Sequence, residues 1–87
     1  MVIDVRTPDE YADGHIKGAT NIDFNSDAFA NDITKLDKNG IYTLHCHSGN
    51  RAGQALKLMQ EAGFTNVMNA GGFQDASKNL GIELVTE

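Results

Sequence analysis

The sequence predicts an α/β domain with a mainly parallel central sheet and helices on both faces. Three observations lead there. Short apolar, β-branched segments alternate with segments of helical spacing. Glycines and polar clusters fall between them as turns. The single cysteine stands where a strand gives way to a helix.

Val2 to Val5 is a β-branched run and reads as a buried strand. Thr7-Pro8-Asp9-Glu10 then forms a capping box: Thr7 caps, Pro8 takes the first helical position and Glu10 reaches back. The helix runs to about Asp13 and stops at Gly14. His15 to Thr20 is expected as a loop, and Asn21 to Phe24 as a second strand. Ser26 and Asp27 open the next helix, with Phe29, Ile33 and Leu36 on one face at spacings of four and three. After a polar turn at Asp37 to Gly40, Ile41 to His45 reads as a buried strand, and Cys46 to Asn50 as an exposed turn. A helix is predicted from about Arg51 to Ala62, with Ala52, Ala55, Leu56 and Met59 inward and Gly63 ending it. Asn66 to Met68 is a short strand, Gly71-Gly72 a tight turn, and Phe73 to Leu80 the last helix.

Composition removes several classes of function. Eighty-seven residues are expected to form one domain, 1–87. No apolar run approaches the roughly 18–20 residues of a membrane span. One cysteine can make neither an intrachain disulfide nor a zinc site built on cysteine pairs. The net charge of −5, with arginine only at positions 6 and 51, offers no basic footprint for nucleic acid. An acidic chain also repels small anions at long range, so an anion site must be local, which directs attention to Arg51. The chain opens Met1-Val2-Ile3-Asp4, already within an apolar segment, and no signal peptide is read there.

The informative stretch is Leu44-His45-Cys46-His47-Ser48-Gly49-Asn50-Arg51-Ala52-Gly53. Ligands of open α/β sheets bind beyond the carboxyl ends of the strands, and Cys46 is at such an end. Ser48 and Gly49 let the backbone N–H groups close round one point, and the following helix directs its positive end there. Both effects favour a thiolate over a thiol. A buried, inert cysteine would give no reason for a glycine and an arginine at these offsets. His47 is read with equal weight as a solvated loop residue or an electrostatic aid, His45 as structural, and Ser48 and Asn50 as loop formers that line the site.

Cys46-His47-Ser48-Gly49-Asn50-Arg51 resembles the six-residue active loop of the rhodaneses, cysteine-x-x-glycine-x-arginine. Val2-Ile3-Asp4-Val5-Arg6-Thr7-Pro8-Asp9-Glu10-Tyr11 and Gly14-His15-Ile16-Lys17-Gly18-Ala19-Thr20-Asn21-Ile22 are similar to the family's first signature. Val67-Met68-Asn69-Ala70-Gly71-Gly72-Phe73 resembles its closing strand and glycine turn. Gly53-Gln54-Ala55 and Asn69-Ala70-Gly71-Gly72 resemble the small bacterial subgroup of phage shock protein E type. Two departures stand out. Phe73 and Ala76 occupy the neighbourhood where many rhodaneses carry a tryptophan, and a strand and helix usual before the Asp4 segment are missing.

The resemblance implies a thiosulfate sulfurtransferase. Cys46 would attack the outer sulfur of a small anionic donor, sulfite would leave, and a thiol or cyanide would collect the sulfur from the persulfide. His47, Ser48, Gly49, Asn50, Arg51 and Ala52 would bind the donor, with Arg51 facing the anion, and Asp4 and Arg6 would support the loop. No metal or organic cofactor, nucleic acid or membrane partner is expected, and the chain is expected as a monomer. The subgroup's export favours the periplasm, with the cytoplasm as alternative. Two rival readings are a persulfide carrier serving a partner protein, and a cysteine phosphatase of related fold. Phosphatase loops place arginine six positions after cysteine, whereas Arg51 is five after Cys46.

Overall fold

The computed structural model describes residues 1–86. Its main sheet is built from β1 (Val2–Asp4), β3 (Thr20–Asn21), β4 (Tyr42–Cys46) and β5 (Val67–Gly72), in the order β3-β1-β4-β5. All three strand pairs are parallel. Helices α1 (Pro8–Asp13), α2 (Phe29–Ile33) and α3 (Asn50–Glu61) lie in the connections between these parallel strands, and α4 (Phe73–Leu80) follows β5. Alternation along the strands sends neighbouring residues to opposite faces. Ile3, Val5, Leu44 and Cys46 join Phe29 and Ile33 of α2 and Ala52, Ala55 and Met59 of α3 in the larger core. On the other face Val2 packs with Tyr11 of α1, Ala76 of α4, and Ile16, Ala19 and Ala70. Helices therefore cover both faces, as the sequence predicts.

Local chemistry sets the element ends. Thr7 and Glu10 form the predicted capping box at α1. Helix α3 closes with Gly63 N–H on the Gln60 carbonyl and Phe64 N–H on that of Met59, with Gly63 at φ 104° and Phe64 buried. This is a Schellman closure, in which glycine takes the left-handed position.

Four local expectations need correction. His15 to Thr20 is not all loop: β2 (His15–Ile16) pairs antiparallel with β6 (Leu84–Val85) in a separate two-stranded sheet. Its partner lies about 70 residues away, beyond the reach of any local pattern. The strand expected at 21–24 is Thr20–Asn21; Ile22 and Phe24 still donate to the carbonyls of Asp4 and Val5, but the Asp23 carboxylate accepts from Asn25 N–H and turns the chain. The second helix starts at Phe29 because the Ser26 hydroxyl holds Ala28 N–H in the preceding turn. Leu36 lies past its end yet still packs on the core. Gly71-Gly72 is not a tight turn: β5 runs through both residues into α4, with a register shift opposite Leu44 to Cys46.

Candidate active site

Cys46 is the last residue of β4 and is 0% exposed. The expectation of an exposed turn is thus corrected at this position, while His47, Ser48 and Asn50 do face solvent. Cys46 shares the inward face of β4 with Tyr42 and Leu44, four and two residues earlier, and that parity buries it. Its Sγ accepts N–H donors from Gly49 at 2.9 Å and Ala52 at 3.4 Å. Helix α3 has Gly49 at its N-cap, with no side chain to receive the first N–H groups. The sulfur occupies the place of a capping oxygen, where the helix end favours negative charge.

The loop keeps this shape because glycines let backbone meet backbone. Gly49 is left-handed, at φ 93°, and a Cβ there would lie 3.1 Å from Gly71 Cα. A Cβ on Gly72 would lie 2.5 Å from the His47 carbonyl oxygen. Asn69, which sequence reading places only in a motif, donates its amide to the Gly49 carbonyl at 3.1 Å and receives Gly71 N–H at 2.8 Å. The His47 ring lies 5.9 Å from that of Phe73, inclined by 30°.

Asp4 and Arg6 are both buried beside this loop. Arg6 Nη2 donates to Asp4 Oδ2 at 2.7 Å and Nε to both carboxylate oxygens at 3.0 Å, and the guanidinium lies 4.4 Å over the Phe73 ring. His45 Nε2 is 4.0 Å from Asp4 Oδ2, and neither ring nitrogen has a hydrogen-bond partner among the described residues. Burial pushes the His45 pKa down, against the opposing pull of Asp4, and Arg6 and His15 push the same way as burial. A neutral imidazole results, which fits a structural role.

Arg51 takes up a partner the sequence does not reveal. Its Nη1 and Nη2 donate to Glu10 Oε1 and Oε2 at 2.8 and 3.0 Å, across 41 residues. The hydrogen bonds from Arg51 are the main cause pulling the Glu10 pKa from 4.5 to about 2, and the same contact raises that of Arg51. Because the folded value lies below the free one, this stabilisation is whole above about pH 4.5 and disappears as pH falls towards 2. At a carboxylate one-third exposed, solvent screening leaves about 1 kcal/mol. Urea midpoints taken from pH 5 to 2.5 are expected to fall more steeply in the wild type than in Glu10→Gln; parallel profiles would contradict the pairing.

Two backbone N–H groups that meet a buried cysteine sulfur at the end of a central parallel strand can now be set beside known proteins. The rhodanese-like domain family matches residues 1–79. The chain belongs to the rhodanese family. Among curated rhodanese relatives, the thiosulfate sulfurtransferase PspE of Escherichia coli K12 is 38% identical over 73 residues, covering 84% of this chain and 70% of that protein. The thiosulfate:glutathione sulfurtransferase of Saccharomyces cerevisiae is 35% identical over 77 residues, covering 76% of this chain and 55% of that protein. The solved structure of a rhodanese with anions from E. coli superposes with a TM-score of 0.79 at 34% identity, covering 99% of this chain and 96% of that one. The rhodanese fold accounts for the parallel order β3-β1-β4-β5 and for Cys46 at its central strand end.

Proposed function

We propose that this chain is a sulfurtransferase that carries sulfane sulfur as a persulfide on Cys46. The observation that supports it is the pair of N–H donors, Gly49 and Ala52, aimed at Sγ from the loop and the N-terminus of α3. Preorganised donors of this kind stabilise charge without reorganising as it develops. In the first half-reaction the thiolate attacks the outer sulfur of thiosulfate. The S–S bond of the donor breaks, its electron pair leaves with sulfite, and Cys46–S–S⁻ remains. In the second, cyanide or a thiolate attacks the outer persulfide sulfur and departs as thiocyanate or a new persulfide, returning the Cys46 thiolate. Charge balances in both steps, and the order is ping-pong.

Donor contacts are assigned to the backbone of His47 to Ala52. Asp4 and Arg6 support the loop, and Arg51 supplies charge beside it. The names of the relatives support thiosulfate as donor and a thiol such as glutathione as acceptor.

Mass spectrometry after exposure to thiosulfate is expected to find one added sulfur atom on the wild type, removed again by cyanide, and none on Cys46→Ala. An unmodified Cys46 would overturn the reading. Cys46-dependent turnover of para-nitrophenyl phosphate would replace it with the phosphatase alternative.

A further inference from the structure

The chain has two arginines, and both face carboxylates: Arg6 meets Asp4 inside the domain, and Arg51 meets Glu10 beside the loop. The second pairing bears on the chemistry, because Arg51 is the permanent cation of the loop segment 46–51. Its two terminal nitrogens meet the two carboxylate oxygens fork to fork, a geometry that fixes orientation as well as charge. Glu10 is itself held in place. Its Oε1 receives the Thr7 backbone N–H at 3.2 Å and the Thr7 hydroxyl at 3.1 Å, and Thr7 caps α1. With its pKa near 2, Glu10 is ionised at every pH used for such an assay. Asp23 adds a second negative field on Arg51. A donor arriving at Cys46 therefore meets a cation already matched by acid.

We propose that Glu10 is a specificity-determining residue of the sulfur-transfer site: by holding and neutralising Arg51 it lowers the site's preference for dianionic donors and admits donors of smaller charge, such as thiosulfonates and alkyl persulfides. The inference rests on the function proposed above. Glu10 acts through the position and charge of Arg51. Without it, an unmatched positive charge would draw in a donor more strongly for each negative charge the donor carries. One charge at contact distances near the surface changes such a preference by roughly three- to tenfold.

Thiosulfate and methanethiosulfonate separate the effects, because the same kind of S–S bond breaks in each and the donors carry two charges and one. From methanethiosulfonate the thiolate takes the outer sulfur and methanesulfinate leaves with the electron pair. The ratio of kcat/KM for the two donors would be measured at low salt in the wild type, Glu10→Gln and Glu10→Asp. Glutamine keeps a capping acceptor and loses the charge. Glu10→Gln is expected to raise the thiosulfate:methanethiosulfonate ratio about three- to tenfold, chiefly through the KM for thiosulfate, and the gain should shrink in salt. Glu10→Asp should keep the wild-type ratio.

An unchanged ratio in Glu10→Gln, or an equal loss with both donors, would mean that the pair only braces α1 against α3, and would overturn the inference. The wild type alone gives an independent check should the variants not fold. A thiosulfate preference that falls steeply with salt would reveal an unmatched cation and overturn it too. Transfer from neither donor would overturn the proposed function and this inference with it, whereas transfer from both with an unchanged ratio would overturn the inference alone.

Discussion

Cys46→Ser is expected to lower thiosulfate:cyanide transfer by roughly 10³-fold or more, with little loss of stability. Oxygen in place of sulfur keeps the shape of the residue and can still accept from Gly49 and Ala52 N–H. It cannot form a persulfide, and no second thiol exists in the chain to take over. The fold should survive because the larger core also rests on Ile3, Leu44, Ala55, Met59 and Phe64, none of which is substituted. The check pairs initial rates with a urea midpoint. A variant that retains a tenth of the wild-type rate would remove Cys46 from the mechanism; one that unfolds would make it chiefly a packing residue.

Asp4→Asn is expected to cost about 3–5 kcal/mol, because it leaves Arg6 charged, buried and without its partner. Stability for a chain of this length is roughly 4–13 kcal/mol, so a loss of this size removes from about a quarter to all of the margin. The double variant Asp4→Leu/Arg6→Met, which removes both charges, should recover much of the loss, since a hydrophobic pair of similar size avoids desolvating the ions. Urea midpoints of the double variant and of its two matching single variants, Asp4→Leu and Arg6→Met, give the coupling between the two residues. If Asp4→Asn is nearly neutral, the ion pair is not what holds the end of β1. Recovery of stability in the double variant without recovery of sulfur transfer would separate folding from loop placement, because Arg6 also lies against Phe73, the neighbour of His47.

Much of this architecture is legible in the residues, and what is not has a common cause. The capping box at Thr7, the inner face of α3 and the stop at Gly63 are local patterns, complete within a dozen residues, and they appear where the sequence puts them. The position of Cys46 at a strand end before a helix is equally local. The pairing of His15–Ile16 with Leu84–Val85 and of Arg51 with Glu10 are contacts between distant segments. Nothing in either segment alone announces the other. Glu10 is doubly hidden, because its role in the cap already explains its presence. The burial of Cys46 could have been found: residues 42, 44 and 46 share one face of a strand whose first two are apolar. A turn expected from position 46 onwards ends that alternation one residue early.

The contact of Gly49 and the His47 carbonyl with Gly71 and Gly72 also bears on how such a protein can diversify or be engineered. With no side chains at the crossing, there is nothing to trim or regrow, and a change there displaces the amides that hold the sulfur. Variation has to enter at His47, Ser48 and Asn50, whose side chains face solvent around the buried thiol. A library built to find new sulfur acceptors would randomise those three positions and leave the glycines untouched.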